Sequence, residues 1–369
     1  MSCIAQALRP NRKTPDRVMP DRVTPDRGAA LFHSEPAADQ THQDAFLAAL
    51  SRHGVSNRDL ALRINIPFHH PPFYRRGSRT RNSWEDCRAE TYLAWLEREM
   101  TLLAAHLGKS SNINRLVWKG APASYFSLGQ MSELFDSLHT RFGMSSLAGR
   151  DYAIDIAPQD TSVLTLRHLQ ALGFNHLRLK VRGDAFQWSP GQFRTSPRIL
   201  VETLMEEARR LSFHRLSLDF QYATPGQTLQ GLSEALGQVI DLSPRHLFLK
   251  KCLDTPDKRF DSDSGTSSSK TSETHTPHAL YQLANEMLLA AGYVRLDSHR
   301  YVLTSEAGML HLRELAPGID QDILGLGLGA ISRIAGRRIK TTEHLAVYVA
   351  ALETGRLAFT EDYDAVKAE

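Results

Sequence analysis

The sequence predicts an α/β protein: a TIM-like partial (β/α)6 barrel followed by a smaller, mainly helical C-terminal domain. Three observations carry this. Between residues 45 and 253, short apolar, β-branched segments alternate six times with amphipathic stretches of helical period. Alternation of that regularity implies parallel strands joined by crossover helices, and six units are two short of a closed eightfold barrel. A Ser/Thr/Asp-rich run at 254–277 then reads as a flexible linker, and helical periodicity dominates the last segment, 278–369.

Taken in order, residues 1–44 carry a pentapeptide repeat in which Pro15, Pro20 and Pro25 are each followed by Asp-Arg, with almost nothing to bury. A disordered leader is expected there. The strands are expected at 62–66, 115–118, 152–156, 177–181, 216–220 and 247–249, with helices near 85–105, 129–141, 162–172, 197–211 and 229–240. Beyond the linker come an amphipathic helix at 279–291, a strand-like segment, the glycine-rich LGLGLGAIS at 324–332 and a helix near 341–355. Gly325, Gly327 and Gly329 lack the GxGxxG spacing and the preceding βαβ unit of a dinucleotide site, so this segment reads as a packing turn beside the barrel.

Composition narrows the function. With 369 residues, 41% of them apolar and 23% charged, the chain can bury a large core. Its net charge of +3 is too mild to point to nucleic acid. No apolar run approaches the twenty residues of a membrane span, and the opening MSCIAQALRPNRK lacks a signal peptide's apolar core. A cytoplasmic protein is expected. The three cysteines, Cys3, Cys87 and Cys252, stand too far apart for a CxxC metal pair or a disulfide framework.

Six segments in collinear order carry a resemblance. INIPF at 64–68 is similar to a family "hIPFC" strand, WKGAPASY at 118–125 to "WGGGTPTY" and IDIAP at 154–158 to "IEVDP". LGFNHL at 172–177 matches "xGFNRLS", LDFQYATP at 218–225 matches "IDLIYGLP", and ILGLGLGAIS at 323–332 matches "LLGxGVSAIS". Together, from about residue 60 to 360, the chain resembles the oxygen-independent coproporphyrinogen III oxidases and their haem-chaperone relatives in the radical S-adenosylmethionine superfamily. That resemblance implies a partial barrel of radical SAM type.

The departures decide the expected chemistry. Where the family has CxxxCxxC, three thiolates holding a four-iron cluster, this chain has His69, Phe73 and Arg76. A phenyl ring cannot ligate iron and a guanidinium repels it, so no 4Fe-4S cluster and no radical step are expected. The family's three glycines become Lys119, Gly120 and Ala121, filling space that S-adenosylmethionine would need, so high affinity for that cofactor is not expected. The resemblance leaves Gly120, Asp155, Asp219 and Tyr222 as remnants of the cofactor site.

A charge change accompanies this. On the fourth strand Arg178, Lys180 and Arg182 share one face by alternation, and Arg63, Arg75, Arg76, Arg79 and Arg81 fall in a stretch, 60–84, without a carboxylate. Two uses stand side by side: a clamp for the carboxylates of a tetrapyrrole or another acidic small molecule, or internal ion pairs with Asp155, Asp184 and Asp219. The His69-His70 pair reads as structural ahead of metal or haem ligation. The function expected is therefore that of an oxidase-like protein without radical activity, binding a tetrapyrrole or acidic metabolite or partnering an oxidase or haem-pathway protein. Residual coproporphyrinogen oxidation, or non-radical chemistry with Asp155, Asp219 or a histidine as acid or base, is the alternative.

Overall fold

The computed structural model describes residues 40–55, 59–68, 88–107, 112–120, 122–145, 149–183, 197–224, 226–252, 276–303 and 321–360. The proline repeat, His69, Phe73, Arg76, Asp184 and the Ser/Thr-rich run lie outside them. Helix α1 (Gln40–Val55) begins inside the stretch read as a leader and buries Phe46 and Leu50. Then strands and helices alternate: β1 (Asp59–Ile66), α2 (Ala89–Leu107), β2 (Asn112–Gly120), α3 (Pro122–Tyr125), α4 (Leu128–Arg141), β3 (Asp151–Ile156), α5 (Val163–Ala171), β4 (His176–Arg182), α6 (Pro197–Arg210), β5 (Arg215–Tyr222), α7 (Leu229–Asp241) and β6 (His246–Lys251). Each of the six expected strands is present. Several helix starts are fixed locally: Ser127 and Gln130 form a reciprocal capping box at α4, and Thr228 caps α7.

The remainder comprises α8 (Pro277–Ala290), β7 (Tyr293–Arg295), β8 (Arg300–Leu303), β9 (Asp322–Leu326), β10 (Ile331–Ile334), β11 (Arg337–Thr341), α9 (Leu345–Glu353) and β12 (Phe359–Thr360). All strands join one sheet in the order β12-β11-β10-β9-β1-β2-β3-β4-β5-β6-β8-β7. The first six are mutually parallel, and β9 adds a seventh parallel strand against β1. The glycine-rich segment is thus a strand followed by a turn. Antiparallel strands finish both edges, which satisfies the outer ladders of the parallel core.

Alternation sets which face each strand side chain takes. Along β4, Leu177, Leu179 and Val181 are buried while His176, Arg178, Lys180 and Arg182 are half-buried. The apolar set packs under the helices, as does Trp118 of β2, whose ring lies 5.0 Å from Phe174 and 6.5 Å from Phe135 of α4. Each such buried aliphatic side chain contributes about 1.5–3 kcal/mol. The charged set can then only occupy the other, inner face. The turn after β9 docks tightly: a Cβ at Gly327 would lie 2.4 Å from the Tyr92 hydroxyl, and the fully buried Glu99 accepts hydrogen bonds from the Gly327 N–H (2.7 Å) and the Tyr348 hydroxyl (2.8 Å). Burial pushes the Glu99 carboxyl up to about 7. No helix among the described residues is long and apolar enough to cross a membrane.

Candidate functional site

The inner face of the parallel sheet carries two ionic layers, one at each end of the strands. At the amino-terminal end, Asp151 of β3 meets Arg215 Nη1 at 3.0 Å, His176 Nδ1 at 3.2 Å and Arg115 Nε at 3.7 Å. Arg115 also donates to Gln321 Oε1 at 2.8 Å, and His176 Nε2 lies 2.7 Å from Ser217 Oγ. Burial alone would raise the Asp151 pKa, but the interaction with His176 and the charges of Arg215 and Arg115 outweigh it and hold the carboxyl below its ordinary value. A cavity of about 620 Å³ opens here, lined by Asp59, Asn114, Arg115, Asp151, Gln321, Asp322 and Arg333 among others.

The carboxyl-terminal end, where barrels of this kind bind ligands, is built differently. Asp155 of β3 and Asp219 of β5 are 0% and 1% exposed. Arg178, one strand from each, bridges them: its Nε is 3.3 Å from Asp155 Oδ1 and its Nη2 3.5 Å from Asp219 Oδ2. Lys180 Nζ reaches Asp155 Oδ2 at 2.7 Å, and Lys250 of β6 pairs with Asp219 Oδ2. Gly120 completes the network: its N–H donates to Asp155 Oδ2 at 3.2 Å. At φ +98° any Cβ there would collide with the Ile66 carbonyl at 1.9 Å, so this close approach of β2 to β1 requires glycine. Burial opposes the charge on Asp155, yet Arg178 and Lys180 overcome it and keep the carboxyl below the usual range. Arg178 is correspondingly held above its ordinary value by Asp155 and Asp219 against burial.

Of the residues singled out from sequence, the structure therefore brings Gly120, Asp155, Arg178, Lys180 and Asp219 into one network. Arg182 continues the same face of β4, in register with Gln221. Tyr222 does not join them: it falls on the opposite face of β5, its ring 6.0 Å from Tyr281 of α8. Lys250 was missed, although the alternation of HLFLKK at 246–251 could have put it on the inner face.

Two further inner-face cations stand beside the network. Arg63 of β1 pairs in register with Val117 and with Gly325 of β9, and Lys119 pairs with Asn65. Burial first, then Arg178 and Arg333, lower the Arg63 pKa. Lys119 is pushed down to about 8, chiefly by burial and then by Arg63. Neither makes an ion pair or hydrogen bond to another described residue. Among the described residues, cations on this part of the face, Arg182 included, outnumber carboxylates six to two, which suits an anion and opposes a cationic ligand.

No protein-family profile matches the chain. It is 26% identical over 345 residues to an oxygen-independent coproporphyrinogen III oxidase of Pseudomonas aeruginosa, covering 89% of this chain and 74% of that protein. The enzyme of the same name from Escherichia coli is 25% identical over 327 residues, covering 86% and 70%. A haem chaperone, HemW, of Bacillus subtilis is 25% identical over 251 residues, covering 68% and 64%. A solved structure of coproporphyrinogen III oxidase (HemN) from Escherichia coli, described as a radical SAM enzyme, superposes with a TM-score of 0.66 at 23% identity, covering 89% of this chain and 78% of that one.

Proposed function

We infer that this chain, which belongs to the oxygen-independent coproporphyrinogen III oxidase family, binds a tetrapyrrole or related acidic metabolite without performing radical chemistry, as an accessory protein of porphyrin metabolism. One observation carries the reading. Asp155 and Asp219, which by resemblance face the cofactor in the family, are here taken by the chain's own Arg178, Lys180 and Lys250. A ligand ammonium or ribose arriving at these carboxylates must displace a buried ion pair, and breaking such a pair costs about 3–5 kcal/mol.

The donor set agrees. A four-iron cluster needs three closely spaced thiolates, and the whole sequence holds only Cys3, Cys87 and Cys252. Cys252 ends β6, buried. In the family's first glycine position, Lys119 adds a cation where S-adenosylmethionine brings its own positive charge. These residues do not fit the cluster or the cofactor, and no catalytic step is assigned through either.

What the chain's own groups do is hold charge in place. Asp155 and Asp219 fix Arg178, Lys180 and Lys250 on the rigid inner face of the sheet, and Arg63 and Lys119 supply the positive remainder. A macrocycle carrying several propionates needs several such cations. The experiment is a titration of the purified full-length chain with haem and with coproporphyrin III, followed by the Soret band, beside anaerobic reconstitution with iron and sulfide in the presence of S-adenosylmethionine. A saturable Soret shift with no deoxyadenosine formed is expected. Deoxyadenosine production, or turnover of coproporphyrinogen III, would establish the enzyme reading instead.

A further inference from the structure

We propose that Arg63 and Lys119 together form a seat for a carboxylate group of a bound ligand, separate from the cations that neutralise Asp155 and Asp219. The inference rests on the acidic-ligand reading above and adds which side chains take the anion.

The argument is one of charge balance on a fixed scaffold. Arg178 is saturated, bridging two buried carboxylates, and Lys180 and Lys250 are each spent on one of them. An incoming carboxylate would compete at these three with anions already in place. Arg63 and Lys119 make no ion pair or hydrogen bond to another described residue, and feel Asp155 only from a distance. They sit on adjacent parallel strands, offset by one step of alternation, since Arg63 is opposite Val117 and Lys119 opposite Asn65. Neighbouring strands lie about 4.8 Å apart, so two long side chains at this offset can converge on one oxoanion.

The register neighbours of Arg63 are Val117 on one side and Gly325 on the other, the latter covered by the Ile331 backbone. The guanidinium fork matches a carboxylate through two parallel hydrogen bonds. Half-buried cations without an ion pair among the described residues cost stability, and a bound anion would supply the missing charge. Burial first, then Arg178 and Arg333, lower Arg63, and burial, then Arg63 and Arg178, lower Lys119, against the attraction of Asp155; a bound carboxylate would add to that attraction. Lys119 stands where the matched family motif has glycine, so this half of the seat is a property of this chain rather than of the fold.

The test reads Lys119 directly in the full-length protein. Its acetylation by acetic anhydride is followed by mass spectrometry with citrate, with coproporphyrin III, or with sodium chloride at matched ionic strength. At least one carboxylate probe is expected to slow acetylation of Lys119 fivefold or more, other lysines being unaffected, and Arg63→Gln is expected to abolish the protection while Arg63→Lys retains part of it. Should Arg63→Gln not fold, calorimetric titration of citrate into Lys119→Gln replaces it, with at least a fivefold loss of affinity expected. Absence of protection by both probes, undiminished protection in Arg63→Gln, or unchanged citrate affinity in Lys119→Gln would each overturn the seat. Protection by citrate without a Soret shift from coproporphyrin III would keep the seat and dismiss the tetrapyrrole.

Discussion

The two ends of the sheet's inner face use the same residue types to different effect. At the amino-terminal end one carboxylate, Asp151, is ringed by Arg115, His176 and Arg215, each fixed by a further contact or by Asp151 itself, beside an open polar cavity. At the carboxyl-terminal end two fully buried carboxylates hold three cations and leave Arg63 and Lys119 over. A layer in which every charged side chain already holds a partner stabilises the fold and has little left for a ligand. A layer with a positive surplus is less stable by itself and is completed by an anion. The open cavity at the amino-terminal end is therefore not the better candidate site, because what matters is unpartnered charge rather than empty volume.

The sharpest way to break this comparison is Asp155→Asn. It strands Arg178 and Lys180 in a buried setting, and urea denaturation should show a loss of about 3–5 kcal/mol. The wild-type contribution of Asp155 has a pH signature: its folded pKa is depressed, so the stabilisation is present above the unfolded value of 3.8 and disappears as pH falls through the folded one. Asp151→Asn should cost less, roughly 1–3 kcal/mol, because its side chain is 18% exposed and water reaches the abandoned cations. Equal losses at the two ends would contradict the difference in burial on which the comparison stands.

Lys119 separates the ends by titration. Its folded pKa, about 8, lies below the unfolded 10.5, so its charge weakens the fold at neutral pH and that penalty is relieved as pH rises from 8 towards 10.5. Across this window the wild type should gain roughly 1–2 kcal/mol relative to Lys119→Gln, after discounting for solvent. The smallest effect belongs to Arg63→Gln. Removing a cation that has no partner should leave stability within about 1 kcal/mol, or raise it slightly, in thermal unfolding. A loss of several kcal/mol would mean that Arg63 is tied into the fold, and the surplus would vanish.

Much of this was legible before the fold was known, and for a definite reason. Period-two alternation is local, so Arg178, Lys180 and Arg182 had to share a face of β4, and the apolar residues between them settled that it was not the helix-covered face. The choice between a ligand clamp and internal ion pairs was not local. It turned on whether Asp155 and Asp219 lie on the strands either side of Arg178, which the ladder β3-β4-β5 provides. Tyr222 shows the limit of motif matching: its neighbours in LDFQYATP include Asp219, yet it lies three positions further on, and an odd difference between strand positions puts two side chains on opposite faces.

By itself, then, the sequence determined the alternating units, the absence of closely spaced thiols and the cationic face of the fourth strand, because each depends on composition or on spacing within a few residues. Only the tertiary structure decided that Lys250 neutralises Asp219, that β9 returns across more than 250 residues to lie beside β1, and that Arg63 and Lys119 are the cations left over. Those outcomes are set by strand order and register, which arise from packing the whole sheet against its helices and cannot be read from any one segment.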